Sequence, residues 1–164
     1  MVEMLAGDAP AAERCLRKGF DALDEMGDKA VLSTTAAMLG ETLIAQERDA
    51  EAERFARLSA DLAVEDDVIT QAIWRGVQAS VLARRGGLPE AERMARQAVS
   101  LAERTDFLNH RGDALVVLGA VLAQQQRPEP AHEALAGALA VYEQKGNLAA
   151  AARVRATLAP SAPV

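Results

Sequence analysis

The chain has 164 residues and a formal net charge of −6, from 18 basic and 24 acidic side chains. That acidity argues against binding driven by phosphate neutralisation, and one cysteine with two histidines leaves no material for an internal disulfide or a cysteine-rich zinc site. Half the residues are apolar, yet only 3% are aromatic and 36 are alanine, a composition that suits closely approaching helices better than strands, which favour β-branched and ring side chains.

Residues 1–20 carry Glu3, Asp8, Glu13, Arg14, Arg17 and Lys18 and no long apolar run, so no signal peptide is expected. No stretch reaches 18 uncharged apolar residues, so no membrane span is expected either, and the chain reads as cytoplasmic. A first helix is expected over 10–26, where Ala12, Cys15, Leu16, Gly19, Phe20 and Leu23 lie three and four apart and form one apolar stripe. Further helices are expected over 29–46, 49–64, 68–85, 89–104, 107–125, 128–145 and 148–159, and residues 160–164 read as a disordered tail. Asp28, Asp67, Asp106 and Asn147 stand just before alternate helices, where a side-chain oxygen can accept from the free amides of the first turn. Gly7-Asp8, Arg48-Asp49, Gly86-Gly87 and Arg127-Pro128 supply the turns between them.

Four segments, 10–17, 51–57, 90–96 and 130–136, share one pattern, and their anchor alanines Ala12, Ala52, Ala91 and Ala131 step by 40, 39 and 40 residues. The period divides a single domain over 1–159 into a partial unit 1–27, full units 28–66, 67–105 and 106–146, and a terminal helix 147–159. Each full unit holds two helices, A and B. The outward face of the B helices carries Glu13, Arg14 and Arg17, then Glu53, Arg54 and Arg57, then Glu92, Arg93 and Arg96, where Glu and Arg four apart support a helix by roughly 0.2–0.5 kcal/mol per pair. Gly40, Ala79 and Gly119 precede three of the anchors by 12 residues. A small residue on each helix of a hairpin lets the axes close toward the short end of the usual range of about 8–10 Å.

A small residue, an alanine 12 positions on and another small residue seven further, as in Gly40, Ala52 and Ser59, in Ala79, Ala91 and Ala98, and in Gly119, Ala131 and Ala138, resembles the tetratricopeptide repeat. Leu43, Leu82 and Leu122 stand where that pattern has a large residue. Gln78 departs from it, since the pattern prefers an apolar residue there, and Trp74 stands one place before the usual aromatic. The resemblance covers almost the whole chain and implies an all-α, right-handed solenoid of antiparallel helix pairs, with a period near 40 residues rather than the common one of about 34. It also implies a concave groove lined by the A helices and a protein or peptide as partner, with no nucleic acid, no membrane and no cofactor. Residues 74–108 further look like the C-terminal repeat region of large bacterial signalling proteins, which join a nucleotide cyclase or a DNA-binding domain to a P-loop ATPase module. An excess of 15 arginines over 3 lysines beside so much alanine fits a GC-rich bacterial genome. No GxxxxGK phosphate loop occurs.

In the alanine register the groove residues are Thr34, Ala37, Glu41 and Ala45, then Ile73, Gly76, Ser80 and Arg84, then Asp113, Val116, Ala120 and Gln124. Such a wall suits a peptide or helix, or is simply solvated. Asn109, His110, Arg111 and Asp113 form the most polar cluster on any A helix. It reads either as ligand contact, with His110 open to pH, or as an ordinary polar first turn. No catalytic residue is expected. The His–Asp pair has no nucleophile, Ser80 has no neighbouring base, and capping accounts for Asp66-Asp67. Trp74 is either an inter-repeat packing residue or a groove anchor. Unit one has its A helix reduced to Val2–Leu5. Either its open face at Cys15, Leu16 and Phe20 docks on another domain or on a second copy as a homodimer, or Met4 and Leu5 cover it. The function expected is a non-enzymatic interaction module derived from a bacterial regulator. The alternative is a ligand-sensing domain that binds a small molecule or signal peptide near residues 109–113.

Overall fold

Asp8 accepts from Ala11 N at 2.9 Å and Pro10 sits in the first turn, where its missing N–H costs nothing, so the chain enters α1 (Ala9–Met26). Gly27 ends that helix at φ 71°, and Asp28 starts α2 (Lys29–Ile44) by accepting from Val31 N at 3.2 Å. Then follow α3 (Asp49–Leu62), α4 (Val68–Arg84) capped by Asp67, α5 (Leu88–Ala102), α6 (Leu108–Gln124), α7 (Pro128–Lys145) and α8 (Leu148–Leu158) capped by Asn147. The computed structural model describes residues 8–159, and no strand occurs among them. The expected turn at 2–5 and tail at 160–164 lie outside the described residues.

α1 and α5 begin one residue earlier than expected, α2, α3 and α5 end two earlier, α4, α6 and α8 end one earlier, and α6 corrects a cap. Its N-cap is Phe107, which gives no side-chain hydrogen bond, and Asp106 does not cap it. The cap positions at Asp28, Asp67, Phe107 and Asn147 step by 39, 40 and 40, so Asp106 falls one residue short of the register. The A–B turns share one geometry. Glu47, Gly86 and Gln126 adopt φ of 59°, 84° and 59°, and the next residue's N–H donates to the carbonyl of Leu43, Leu82 or Leu122 at 3.0, 2.9 and 3.1 Å. Only unit three uses the glycine this conformation favours.

The helices pair as antiparallel hairpins, α2 with α3, α4 with α5 and α6 with α7, while α8 packs on α7. The contact inside each hairpin is methyl-sized. A Cβ on Gly40 would lie 3.4 Å from Ala52 O, and one on Gly119 would lie 3.3 Å from Ala131 O and 2.8 Å from Leu135 Cγ. Ala79, Ala52 and Ala91 are fully buried at the equivalent places. Leu43, Ala52, Ala56, Val77 and Val81 form one core cluster, and Trp74 and Phe55 pack against it. Trp74 is therefore an inter-repeat packing residue; its Nε1 donates to Gln71 Oε1 at 3.1 Å, and the Arg75 guanidinium lies 4.0 Å from the ring centroid.

The B-helix glutamates make the i,i+4 pairs the sequence suggests, and each adds a second arginine from further along the chain. Glu13 bonds Arg17 at 2.8 Å and reaches Arg48 at the α2–α3 turn at 2.7 Å. Glu53 joins Arg57 and Arg85, the latter at 2.8 Å, and Glu92 joins Arg96 at 2.7 Å and Arg127 at 3.0 Å. Each glutamate thus ties its own helix to the turn of the following hairpin. At His132, where the pattern replaces glutamate, the side chain is exposed.

Candidate functional site

A helices stack on A helices. α4 lies directly against α2 and α6, whereas no comparable packing joins α3 to α5 or α5 to α7. The tight strip of α2, α4 and α6 is therefore the concave side of an all-α solenoid. Along it Glu41, Ile73, Gly76, His110, Asp113 and Val117 border a cleft of about 20 Å³, room for one water-sized group. Of these six residues Glu41, Ile73, Gly76 and Asp113, from three different helices, were singled out by register, and His110 by the polar cluster at 109–113.

The cleft is acidic and poorly solvated. Burial drives the Glu41 carboxyl well above the usual carboxylate range, and repulsion from Asp113 adds to it. Burial also raises Asp113, against the opposing pull of the Tyr142 hydroxyl, His110 and Arg153. Burial lowers His110, partly countered by Asp113. Tyr142 donates to Asp113 Oδ1 at 2.5 Å, and burial with the neighbouring Asp113 charge pushes its phenol up. Tyr142 was missed by the sequence reading as a site residue. It reaches the cleft because Gly112 makes way: a Cβ there would meet the ring at 2.5 Å. The available signal was a second glycine in α6, seven residues before the hairpin glycine Gly119, since an interior helix glycine costs about 1 kcal/mol and needs a packing reason.

The remaining groove residues are placed apart from that cleft or engaged elsewhere. Thr34 Oγ1 shares a hydrogen bond with Thr70 Oγ1 at 2.7 Å, and Ser80 Oγ donates to Gly76 O at 3.0 Å. Arg84 pairs with Asp49 at 2.5 Å and donates to Ile44 O at 3.1 Å, which ties it to the α2–α3 turn. Ala37 is fully buried, while Ala45, Ala120 and Gln124 are exposed. Asn109 Oδ1 accepts from Asn147 Nδ2 at 3.1 Å, which ties it to the cap of α8. On α1, Cys15 is exposed rather than part of a buried stripe, because the helices beside α1 cover Ala12 and Glu13. Leu16 and Phe20 are half-buried, and the Phe20 ring meets Phe55 edge-on at 5.5 Å.

Among the described residues no three His, Cys, Asp or Glu side chains converge to hold a metal ion, and no helix is long and apolar enough to cross a membrane. Residues 70–144 match the tetratricopeptide repeat family. The match spans nearly all of α4 through α7, and the α2–α3 hairpin before it repeats the same glycine–alanine contact and the same turn. No curated protein matches the chain.

Proposed function

We propose that the chain is a non-enzymatic interaction module that holds a peptide or protein segment in the α2–α4–α6 groove. The observation that carries this reading is the cleft on the concave strip, where Glu41 from α2 meets His110 and Asp113 from α6 without the three completing one another's hydrogen bonds. Tetratricopeptide repeats generally serve protein–protein interaction, and stacked helix pairs offer an extended concave surface for it. The likeness of residues 74–108 to bacterial signalling proteins supports a place in a cytoplasmic regulator of signalling or transcription. The net charge of −6 speaks against a nucleic acid as the partner. The exposed Cys15 beside Leu16 and Phe20 offers α1 as a second contact, to a neighbouring domain or a second copy. A small-molecule sensor at 109–113 is less well supported: about 20 Å³ is far below the roughly 300 Å³ from which small-molecule pockets start.

Panning a random peptide library on the chain tests the groove. Ala120→Trp places a bulky ring at an exposed position seven residues beyond Asp113 on α6. Selected peptides are expected to lose binding at least about tenfold on this variant, the loss typical of a central contact. Peptides that bind the blocked variant as well as the parent would overturn the reading.

A further inference from the structure

Building on the groove reading, we infer that the cleft between Glu41 and Asp113 seats a primary ammonium group, the side-chain end of a lysine in the docked segment. The polar groups of the cleft are acceptors. Glu41 lies in its wall with no hydrogen bond to its carboxyl from the described residues. Asp113 uses Oδ1 for Tyr142, which leaves Oδ2. His110 lines the same cleft, and its Nδ1 is buried without a partner; in the neutral ring with the proton on Nε2 that atom accepts. Three acceptors match the three N–H donors of an ammonium.

Size and wall chemistry narrow the guest. About 20 Å³ admits a compact, water-sized head and not a planar guanidinium. Ala72, Ile73, Gly76 and Val117 form the apolar remainder of the wall, suited to the methylene stem of lysine.

The charge balance points the same way. Glu41 on α2 faces His110 and Asp113 on α6, Tyr142 on α7 adds no positive charge, and α4 contributes only Ala72, Ile73 and Gly76 to the wall. Arg153 on α8 acts on Asp113 and Tyr142 and leaves Glu41 without an opposing cation. An incoming ammonium relieves both the burial and the mutual repulsion of the two carboxyls, so binding releases a proton and tightens as pH rises through the raised carboxyl range.

The test uses the full chain and n-butylammonium chloride, followed by NMR of the His110 ring and the side-chain carboxyls, with 1-butanol and n-butylguanidinium as controls. Saturable butylammonium binding with proton release is expected, 1-butanol is expected not to bind, and Glu41→Gln and Asp113→Asn are each expected to weaken binding at least about tenfold. Groove-selected peptides are expected to lose affinity to the same degree when lysine becomes norleucine. Equal binding of butylguanidinium, or unchanged binding by folded Glu41→Gln, would overturn the ammonium seat. Peptides blocked by Ala120→Trp yet indifferent to norleucine would sink this inference and leave the groove reading standing. Butylammonium bound with no groove-selected peptide at all would replace lysine by a free amine and remove the groove reading.

Discussion

The carboxylate of Glu13 accepts from Gln46 at 2.9 Å, Arg17 at 2.8 Å and Arg48 at 2.7 Å. Burial alone would raise it; these hydrogen bonds outweigh burial and bring it down from its ordinary 4.5 to about 2. A depressed carboxylate stabilises the fold fully above 4.5, and that contribution is lost as pH falls from 4.5 through about 2. Arg17 and Arg48 are 38% and 37% exposed, so solvent screening keeps the effect modest. Glu13→Gln is expected to cost about 1–2 kcal/mol at pH 7 and almost nothing near pH 2, measured by urea denaturation across pH. Glu41 has the opposite sign. Its pKa is raised, so the folded state binds the extra proton, and the site costs stability that is regained as pH falls through the raised value. Glu41→Gln is therefore expected to stabilise the chain by about 1–2 kcal/mol at pH 7, with the gap closing toward pH 4.5, where the unfolded carboxyl also protonates.

Helix placement was legible because two independent signals coincide in each unit, the alanine period and the cap. Where they disagree, at Asp106 and Phe107, the period prevailed and the capping preference did not. The groove positions Glu41, Ile73, Gly76 and Asp113 were legible for the same reason: register fixes which side of a helix a residue occupies, while His110 was legible only as part of a polar cluster. The Glu–Arg ladder was not legible, since Arg48, Arg85 and Arg127 lie 35, 32 and 35 residues from Glu13, Glu53 and Glu92 and only the stacking of hairpins brings them near. An arginine recurring at every A–B turn was the trace it left in the sequence. Nor did Glu47 and Gln126 announce that they take left-handed backbone conformations, since neither is a residue that favours one; the glycine at the equivalent Gly86 was the only trace. A side chain at that φ costs about 1–2 kcal/mol, part of which a glycine returns to the unfolded chain as entropy. Glu47→Gly and Gln126→Gly are each expected to raise stability by about 0.5–1 kcal/mol, read as a higher denaturant midpoint at unchanged slope. Gly86→Ala is expected to lower it by a similar amount.

A linear array holds together through nearest neighbours, so its stability follows how many neighbours each helix has. α4 is gripped by α2, α3, α5 and α6 and buries Thr70, Ala72, Ile73, Val77, Ala79 and Val81 among others. α1 has α2 as its main neighbour and buries Ala12 and Glu13. Native-state hydrogen exchange at low protein concentration is expected to show this as a gradient: amides of α4–α6 open only with the whole array, and those of α1 open at least about 2 kcal/mol sooner, roughly thirtyfold less protected. The ladder couples the two ends, so Arg48→Gln, which cuts the link from Glu13 to the next turn, is expected to lower protection in α1 more than in α6. The same experiment bears on what α1 is for. Protection in α1 that climbs toward that of α4 as protein concentration rises means a second copy covers Leu16, Phe20 and the exposed Cys15; protection independent of concentration means that α1 is free for another domain and that the array alone sets its stability.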